Sequence, residues 1–226
     1  MDFRLSDEQQ MIQDAAREFA QNEVSPVAAQ FDVSGEFPAR TIHMAGELGF
    51  MGIETPVEYG GAGLDSVCSA LVILEISAAD AAHGTIVSVN NSLYGVSLLE
   101  FGNDTQKHDF LRPIAAGQHV GAYALTEPQS GSDAASMRSK AVLSADRSHY
   151  VINARKSWIT SGPVARYLVL FAQTEDRAGN SYGISAFVVD AEKPGLHRGK
   201  VEPKLGIRAS ATCEIELTNY ECPSPL

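Results

Sequence analysis

The sequence has 226 residues, 44% of them hydrophobic and 20% charged, which is a globular composition and excludes a disordered chain. A net charge of −11 argues against a nucleic-acid partner, because binding phosphate along a strand needs a basic face. The charge is uneven: residues 1–120 hold 17 acids and 5 bases, while residues 121–226 hold 11 and 12. A phosphate-bearing small molecule meets less repulsion in the second half, although a solvated acidic surface on the first half is the plainer account of the asymmetry.

The three cysteines, Cys68, Cys213 and Cys222, form no C-x-x-C pair. Their odd number argues against a disulfide framework and for a reducing compartment. The six histidines lack metal-ligand spacing, so no metal site is expected. Asp2 and Arg4 fall where the apolar run of a secretory leader would start, and no apolar stretch is long enough to span a bilayer.

The first half reads helical. Ser6 and Gln9 form a capping box with Asp7 and Glu8 in the first turn, and Met11, Ile12, Ala15, Ala16, Phe19 and Ala20 repeat on one face. Pro26 is expected near the end of that helix. A second helix is predicted from Pro38 to Gly49, and Tyr59-Gly-Gly-Ala-Gly63 is a loop. Ser66 to Ala79, apolar on nearly every side, predicts a buried helix. Further helices are predicted over Leu93 to Phe101 and Thr105 to Ala116, the last ending at Gly117.

Near Val120 the pattern changes to short β-branched and aromatic runs between turn residues: Tyr150 to Ile152, Trp158 to Thr160, Tyr167 to Phe171, Ile184 to Val189 and Glu214 to Leu217. Helices followed by strands predict an α+β protein, with an all-helical domain over 1–119 and a β-domain over 120–226. The tail Cys222-Pro-Ser-Pro-Leu226 is turn-like directly after a strand, which suggests either a linker to a further domain or a frayed terminus.

Three segments could carry chemistry. Tyr123-Ala-Leu-Thr-Glu-Pro-Gln-Ser-Gly-Ser-Asp133 leaves a strand and turns at Pro128 and Gly131, with hydroxyls at Thr126, Ser130 and Ser132. It reads as a nest for an anion or a carbonyl-rich ring, or as a plain polar turn. In Asn153-Ala-Arg-Lys-Ser-Trp-Ile-Thr160, strand alternation puts Trp158 and Thr160 on one face. That pairing suits a planar heterocycle with hydrogen-bonding edges, but a core tryptophan is the commoner case. Lys204-Leu-Gly-Ile-Arg-Ala-Ser-Ala-Thr212 groups two cations and two hydroxyls around Gly206, and by itself reads equally well as a basic surface turn.

Together, in this order and spacing, the three segments resemble the acyl-CoA dehydrogenases. The family pattern Tyr/Phe-x-Leu-Thr-Glu-Pro-x-x-Gly-Ser-Asp falls at 123–133, Asn-Gly-x-Lys-x-Trp-Ile-Thr at 153–160 with Ala154 in place of glycine, and Lys-x-Gly-x-Arg-x-Ser-x-Thr at 204–212. Tyr59-Gly-Gly-Ala-Gly-Leu-Asp65 extends the likeness into the helical half, and Ser88 to Tyr94 leans towards the short-chain, butyryl-type branch. Ala154 is expected to widen a hairpin turn, and Ser161 stands where the family usually has asparagine.

The resemblance implies an N-terminal helical domain and an antiparallel, barrel-like middle domain that binds FAD, without the C-terminal helical bundle that carries the family's catalytic glutamate. No catalytic residue is therefore assigned, and Glu127 and Asp133 are expected to be structural. The implied flavin-binding residues are Tyr123, Ala124, Leu125, Thr126, Glu127, Pro128, Gly131, Ser132, Trp158, Ile159 and Thr160, with Ser132 also reaching the substrate's CoA part. The implied reaction is α,β-dehydrogenation of an acyl-CoA thioester, a step of fatty acid β-oxidation, with electron-transfer flavoprotein as acceptor and a homo-oligomer for the full-length protein. An acyl-CoA oxidase or flavin monooxygenase of the same fold, and a non-catalytic binding module, are the alternatives. The implied compartment is the bacterial cytoplasm ahead of a mitochondrial matrix.

Overall fold

The structure, a computed structural model, describes residues 4–224. Asp2, which argued against a leader, and Pro225 and Leu226, which end the turn-like tail, lie outside the described residues. Two units form: one from the chain up to Val120 together with Pro203–Ala211, the other from Gly121–Glu202 and the chain from Thr212.

In the first unit the capping box at Ser6 and Gln9 starts α1 (Asp7–Phe19). Of the expected stripe Ala16, Phe19 and Ala20 are buried and Ile12 packs against the core half-buried, whereas Met11 and Ala15 stay exposed. Pro26 does not end the helix. After Phe19 the chain widens into a π-turn, Ala20–Val24, closed by the Ser25 N–H on the Ala20 carbonyl, and continues as α2 (Ser25–Ser34). A proline fits in that first turn because it has little hydrogen bonding there to lose. Gly35, at φ 71°, provides the left-handed stop. Pro38 then sits at the N-cap of α3 (Ala39–Glu47).

The carboxylate of Asp65 caps α4 (Ser66–Ala79) by accepting from the Cys68 N–H at 2.8 Å. This helix was expected to be buried all round. Cys68, Val72 and Ile76 are buried, but Val67 and Leu74 are 46% and 58% exposed, because the unit covers only one side of it. The sequence reading missed α5 (Ala81–Ser88). Asp80 both ends α4 and starts α5, its carboxylate accepting from the Ala82 and His83 amides, so no turn residue marks the junction. A π-turn over Val89–Gly95 leads into α6 (Val96–Phe101). Asn103 caps α7 (Asp104–Gln106), and the path runs through a π-turn, Lys107–Leu111, into α8 (Arg112–Ala115) before Gly117 at φ 69°.

The core of this unit gathers Phe19, Ile42, Phe50, Met51, Ile53, Val72, Ile76, Ile86 and Val87, with the Phe19 and Phe50 rings edge-to-face at 5.9 Å. The stretch Ser88–Tyr94 has a structural task here. Asn91 accepts from the Ile53 amide at 2.8 Å and donates to the Phe50 carbonyl at 2.9 Å, and Asn90 donates to the Met51 carbonyl at 2.8 Å. Two buried amides thus satisfy an irregular backbone that packs inside. The Tyr59–Gly63 loop is also built for packing. Gly60 and Gly63 have positive φ, and a Cβ at Gly61 would lie 2.1 Å from the Thr55 carbonyl oxygen.

The second unit is one curled, seven-stranded half-barrel. Its strands are β1 (Gly121–Ala124), β2 (Lys140–Leu143), β3 (His149–Thr160), β4 (Tyr167–Glu175), β5 (Ser181–Asp190), β6 (Leu196–Val201) and β7 (Thr212–Pro223). The order is β1-β4-β2-β3-β7-β6, with β5 on β4. Antiparallel pairing prevails, and the departure is β4, which runs parallel to both β1 and β2. A parallel pair needs a long crossover, and the excursion through β2 and β3 supplies it between β1 and β4. Ile152, Ile159, Leu168, Leu170, Phe187, Val189, Ile215 and Leu217 fill the concave core.

Two local expectations fail in this unit. No turn forms at Asn153-Ala154, and the runs at 150–152 and 158–160 belong to one strand, β3. The asparagine instead marks a bulge against β7, where the Asn153 carboxamide oxygen accepts from the Asn219 amide at 2.9 Å and Asn219 has φ 50°. The segment from Lys204 is an excursion from the sheet that rejoins at Thr212, and Pro203–Ala211 groups with the helical unit. There the Lys204 ammonium is spent on its own turn, donating to the Ile207 carbonyl at 2.7 Å and to that of Ser210, and the Arg208 amide donates to Asp32 at 3.0 Å. The three cysteines are free and buried, and among the described residues no helix is long and apolar enough to cross a membrane.

Candidate functional site

The residues singled out between 123 and 132 and between 158 and 160 all lie in the sheet unit, on the exit of β1 and the end of β3. After Ala124 the chain leaves the sheet and folds a tight turn. The Glu127 amide donates to the Ser130 carbonyl at 2.9 Å, and the Ser130 amide returns to the Glu127 carbonyl at 3.1 Å, with Pro128 and Gln129 at the tip. The Ser130 hydroxyl then holds the Asp133 carbonyl at 2.7 Å.

Gly131 does not adopt positive φ, and a Cβ there would meet no atom within 4 Å. Its lack of a side chain therefore serves neither a left-handed turn nor internal packing; it leaves open surface beside the exposed Ser132. Tyr123, Leu125 and Thr126 are half-buried. Burial raises the Tyr123 phenol above its ordinary pKa, and its ring packs 5.1 Å from that of Phe171.

Trp158 is not in the core: it is 64% exposed. It also has φ 62°, a left-handed conformation that a bulky residue rarely adopts. The cause is a bulge, since β3 takes three steps from Lys156 to Ile159 while β7 takes two from Ile215 to Cys213. The bulge turns the indole outward and breaks the strict alternation, so that Lys156 and Ser157 are both buried. Ile159 packs in the core at 2% exposure and Thr160, on the other face, is half-buried. Strained backbone of this kind clusters at functional sites, which makes the exposed indole a candidate for one.

The two segments are tied together. The Ser157 amide donates to the Thr126 carbonyl at 2.8 Å. The Lys156 ammonium donates to the Leu125 carbonyl at 3.0 Å and to the Glu127 carboxylate at 2.8 Å. That carboxylate also accepts from the Arg138 amide at 2.6 Å, the Ser139 amide at 3.0 Å and the Gln129 side chain at 2.6 Å. Burial pushes the Glu127 carboxyl up, but the Lys156 ammonium and these amides overcome it and hold it at about 2. Burial lowers the Lys156 pKa, partly offset by Glu127. A carboxylate with every oxygen taken cannot collect a substrate proton, so the geometry gives Glu127 a structural role.

Lys156 is the residue the sequence reading passed over. A signal was present: Ile152, Ala154 and Lys156 follow with period two, so the lysine falls on the core face of its strand and needs a buried acid as partner.

A half-barrel whose exit loop is bound to a bulged, tryptophan-bearing strand matches known proteins along the whole chain. The family profile described as "Acyl-CoA dehydrogenase, N-terminal domain" matches residues 6–118, and that described as "Acyl-CoA dehydrogenase, middle domain" matches residues 122–220. The chain belongs to the acyl-CoA dehydrogenase family. Among this family member's relatives is the short-chain specific acyl-CoA dehydrogenase of Clostridium acetobutylicum, 44% identical over 99% of this chain and 58% of the relative. The structure of butyryl-CoA dehydrogenase from Megasphaera elsdenii superposes with a TM-score of 0.92 at 33% identity, over 99% of this chain and 58% of that one. Glutaryl-CoA dehydrogenase from Mycobacterium smegmatis, solved in complex with FADH2, superposes with a TM-score of 0.89 at 33% identity, over 97% and 54%. The chain thus spans little more than half the length of these relatives.

Proposed function

We propose that this chain is the flavin-binding part of an acyl-CoA dehydrogenase that oxidises a short-chain acyl-CoA to the trans-2-enoyl-CoA, with 1–119 as its helical domain and 120–226 as its flavin domain. The observation that carries this reading is Trp158, exposed on a strained bulge and bound through Ser157 to the 123–132 loop. An outward indole beside an open, glycine-bearing loop fits the face and polar edge of a flavin ring.

Thr126, Gly131, Ser132, Trp158 and Thr160 would hold FAD, with Tyr123, Ala124, Leu125, Glu127, Pro128 and Ile159 shaping the loop and strand that present them. Glu127, Ala124 and Ile159 have buried side chains, so any direct contact of theirs is through backbone. FAD, when bound, supplies the acceptor for the β-hydride. Ser132 is exposed and free to meet the CoA moiety as well. The base that removes the α-proton would come from outside these residues, since Glu127 is fully engaged and Asp133 is bound up with Ser136. We assign the electrons to an electron-transfer flavoprotein.

The test is anaerobic. FAD and then butyryl-CoA are added to the chain, and the flavin's visible absorption is followed. We expect a perturbed flavin spectrum and no bleaching with this chain, and bleaching with a protein of the relatives' full length. Bleaching by the chain alone would place a base inside it and overturn the assignment of Glu127 and Asp133.

A further inference from the structure

We infer that Lys156 is the positioning residue of the flavin site: its ammonium, locked on Leu125 and Glu127, sets the orientation in which the 125–130 loop and Trp158 meet the ring. The inference deepens the flavin reading and rests on it.

Lys156 has 0% side-chain exposure and Glu127 has 3%, and a buried ammonium persists only where its protons find acceptors. The acceptors found here are not scattered. Lys156 takes the Leu125 carbonyl and the next residue, Ser157, takes the Thr126 carbonyl, so two successive loop carbonyls turn towards β3. In a trans peptide the N–H points opposite to the preceding C=O, and no cis bond occurs among the described residues. Turning the Leu125 carbonyl inward therefore turns the Thr126 N–H away from Lys156. The same lysine fixes Glu127, whose carboxylate holds the Arg138 and Ser139 amides and so closes the far side of the loop.

Lys156 also sits two residues before Trp158, at the last paired position before the bulge. Anchoring it determines where the extra residue is accommodated and hence where the indole projects. One side chain thus registers both flavin-facing segments against each other without itself reaching solvent or ligand. Groups that must hold an aromatic ring to within a fraction of an ångström need supports of this kind.

The test compares the wild-type chain with Lys156→Met, Lys156→Arg and the paired Lys156→Met/Glu127→Gln, each checked for fold by circular dichroism and thermal melting. FAD is titrated in, and two signals are read: the emission of Trp158, the single tryptophan, and the visible band of the flavin. The paired variant removes both buried charges and is expected to fold even where the single methionine variant does not. We expect it to bind FAD about tenfold more weakly, with less quenching of Trp158 and without the wild-type band shift, and Lys156→Arg to fall between the two. A folded paired variant that keeps the band shift and binds FAD within about twofold of wild type would overturn the inference. A wild-type chain that binds no FAD removes the flavin reading instead. Positioning by Lys156 is then decided by amide exchange at Ser157, Arg138 and Ser139: exchange about tenfold faster in the folded paired variant supports it, and unchanged exchange refutes it.

Discussion

The ammonium of Lys156 lies 2.8 Å from a carboxylate oxygen of Glu127, and both side chains are buried. Removing one partner of such a pair strands the other charge in the core. We expect Glu127→Ala to cost about 3–5 kcal/mol of stability, and the paired replacement by uncharged side chains to recover most of it. Urea unfolding of the single and paired variants measures the difference.

The same carboxylate makes stability acid-sensitive. Its folded pKa of about 2 is depressed below the ordinary 4.5, so the folded state binds fewer protons than the unfolded chain between these values. The contribution of Glu127 is fully present above the unfolded pKa and is lost as the pH falls through the folded one. Asp146, held at about 2 by Ser144 and Ser148, behaves alike but is untouched in the paired variant. Stability curves from pH 6 down to about 2 should fall less steeply for the paired variant than for wild type, and parallel curves would contradict the assignment.

Trp158 separates stability from binding. Its left-handed backbone is strained for tryptophan and free for glycine. Because the indole is largely exposed, Trp158→Gly loses little packing, and we expect stability unchanged or raised by about 1 kcal/mol. FAD affinity should fall in the same variant. A large loss of thermal stability would show that the indole is a packing element after all.

In the helical unit, Asn91 bridges the Ile53 amide and the Phe50 and Val87 carbonyls. Asn91→Leu should destabilise by about 2–4 kcal/mol, because it strands several buried backbone groups at once. The loss should appear in the unfolding of the helical unit, and amide exchange at Ile53 should quicken first.

An acid network also holds α1 to α4. Arg17 reaches the buried Glu75 with Nε at 3.1 Å and Nη2 at 2.8 Å, and Gln13 donates to it at 2.8 Å. Arg17→Met and Glu75→Gln should each lower the melting temperature, and by more than loss of a fully exposed ion pair would, because Glu75 is buried.

Much of this fold is written in signals local to the chain. The cap at Ser6, the change of hydrophobic period near Val120 and the glycine stop at Gly117 are local signals, because capping and left-handed turns depend on neighbours in the chain. The motifs at 123–133, 153–160 and 204–212, in that order and spacing, together point to the family. Other local signals read two ways. The helix past Pro26 is set by a π-turn, and the shared cap at Asp80 hides a helix start. Whether the apolar α4 is covered depends on what packs against Val67 and Leu74. Only the tertiary structure showed that Asn153 marks a bulge rather than a turn, since a bulge exists only relative to the partner strand β7. The decisive case is Lys156. Period two put it on the inner face, but its partner lies 29 residues earlier in a loop, and only folding brings that carboxylate to the one place where a buried ammonium can remain charged.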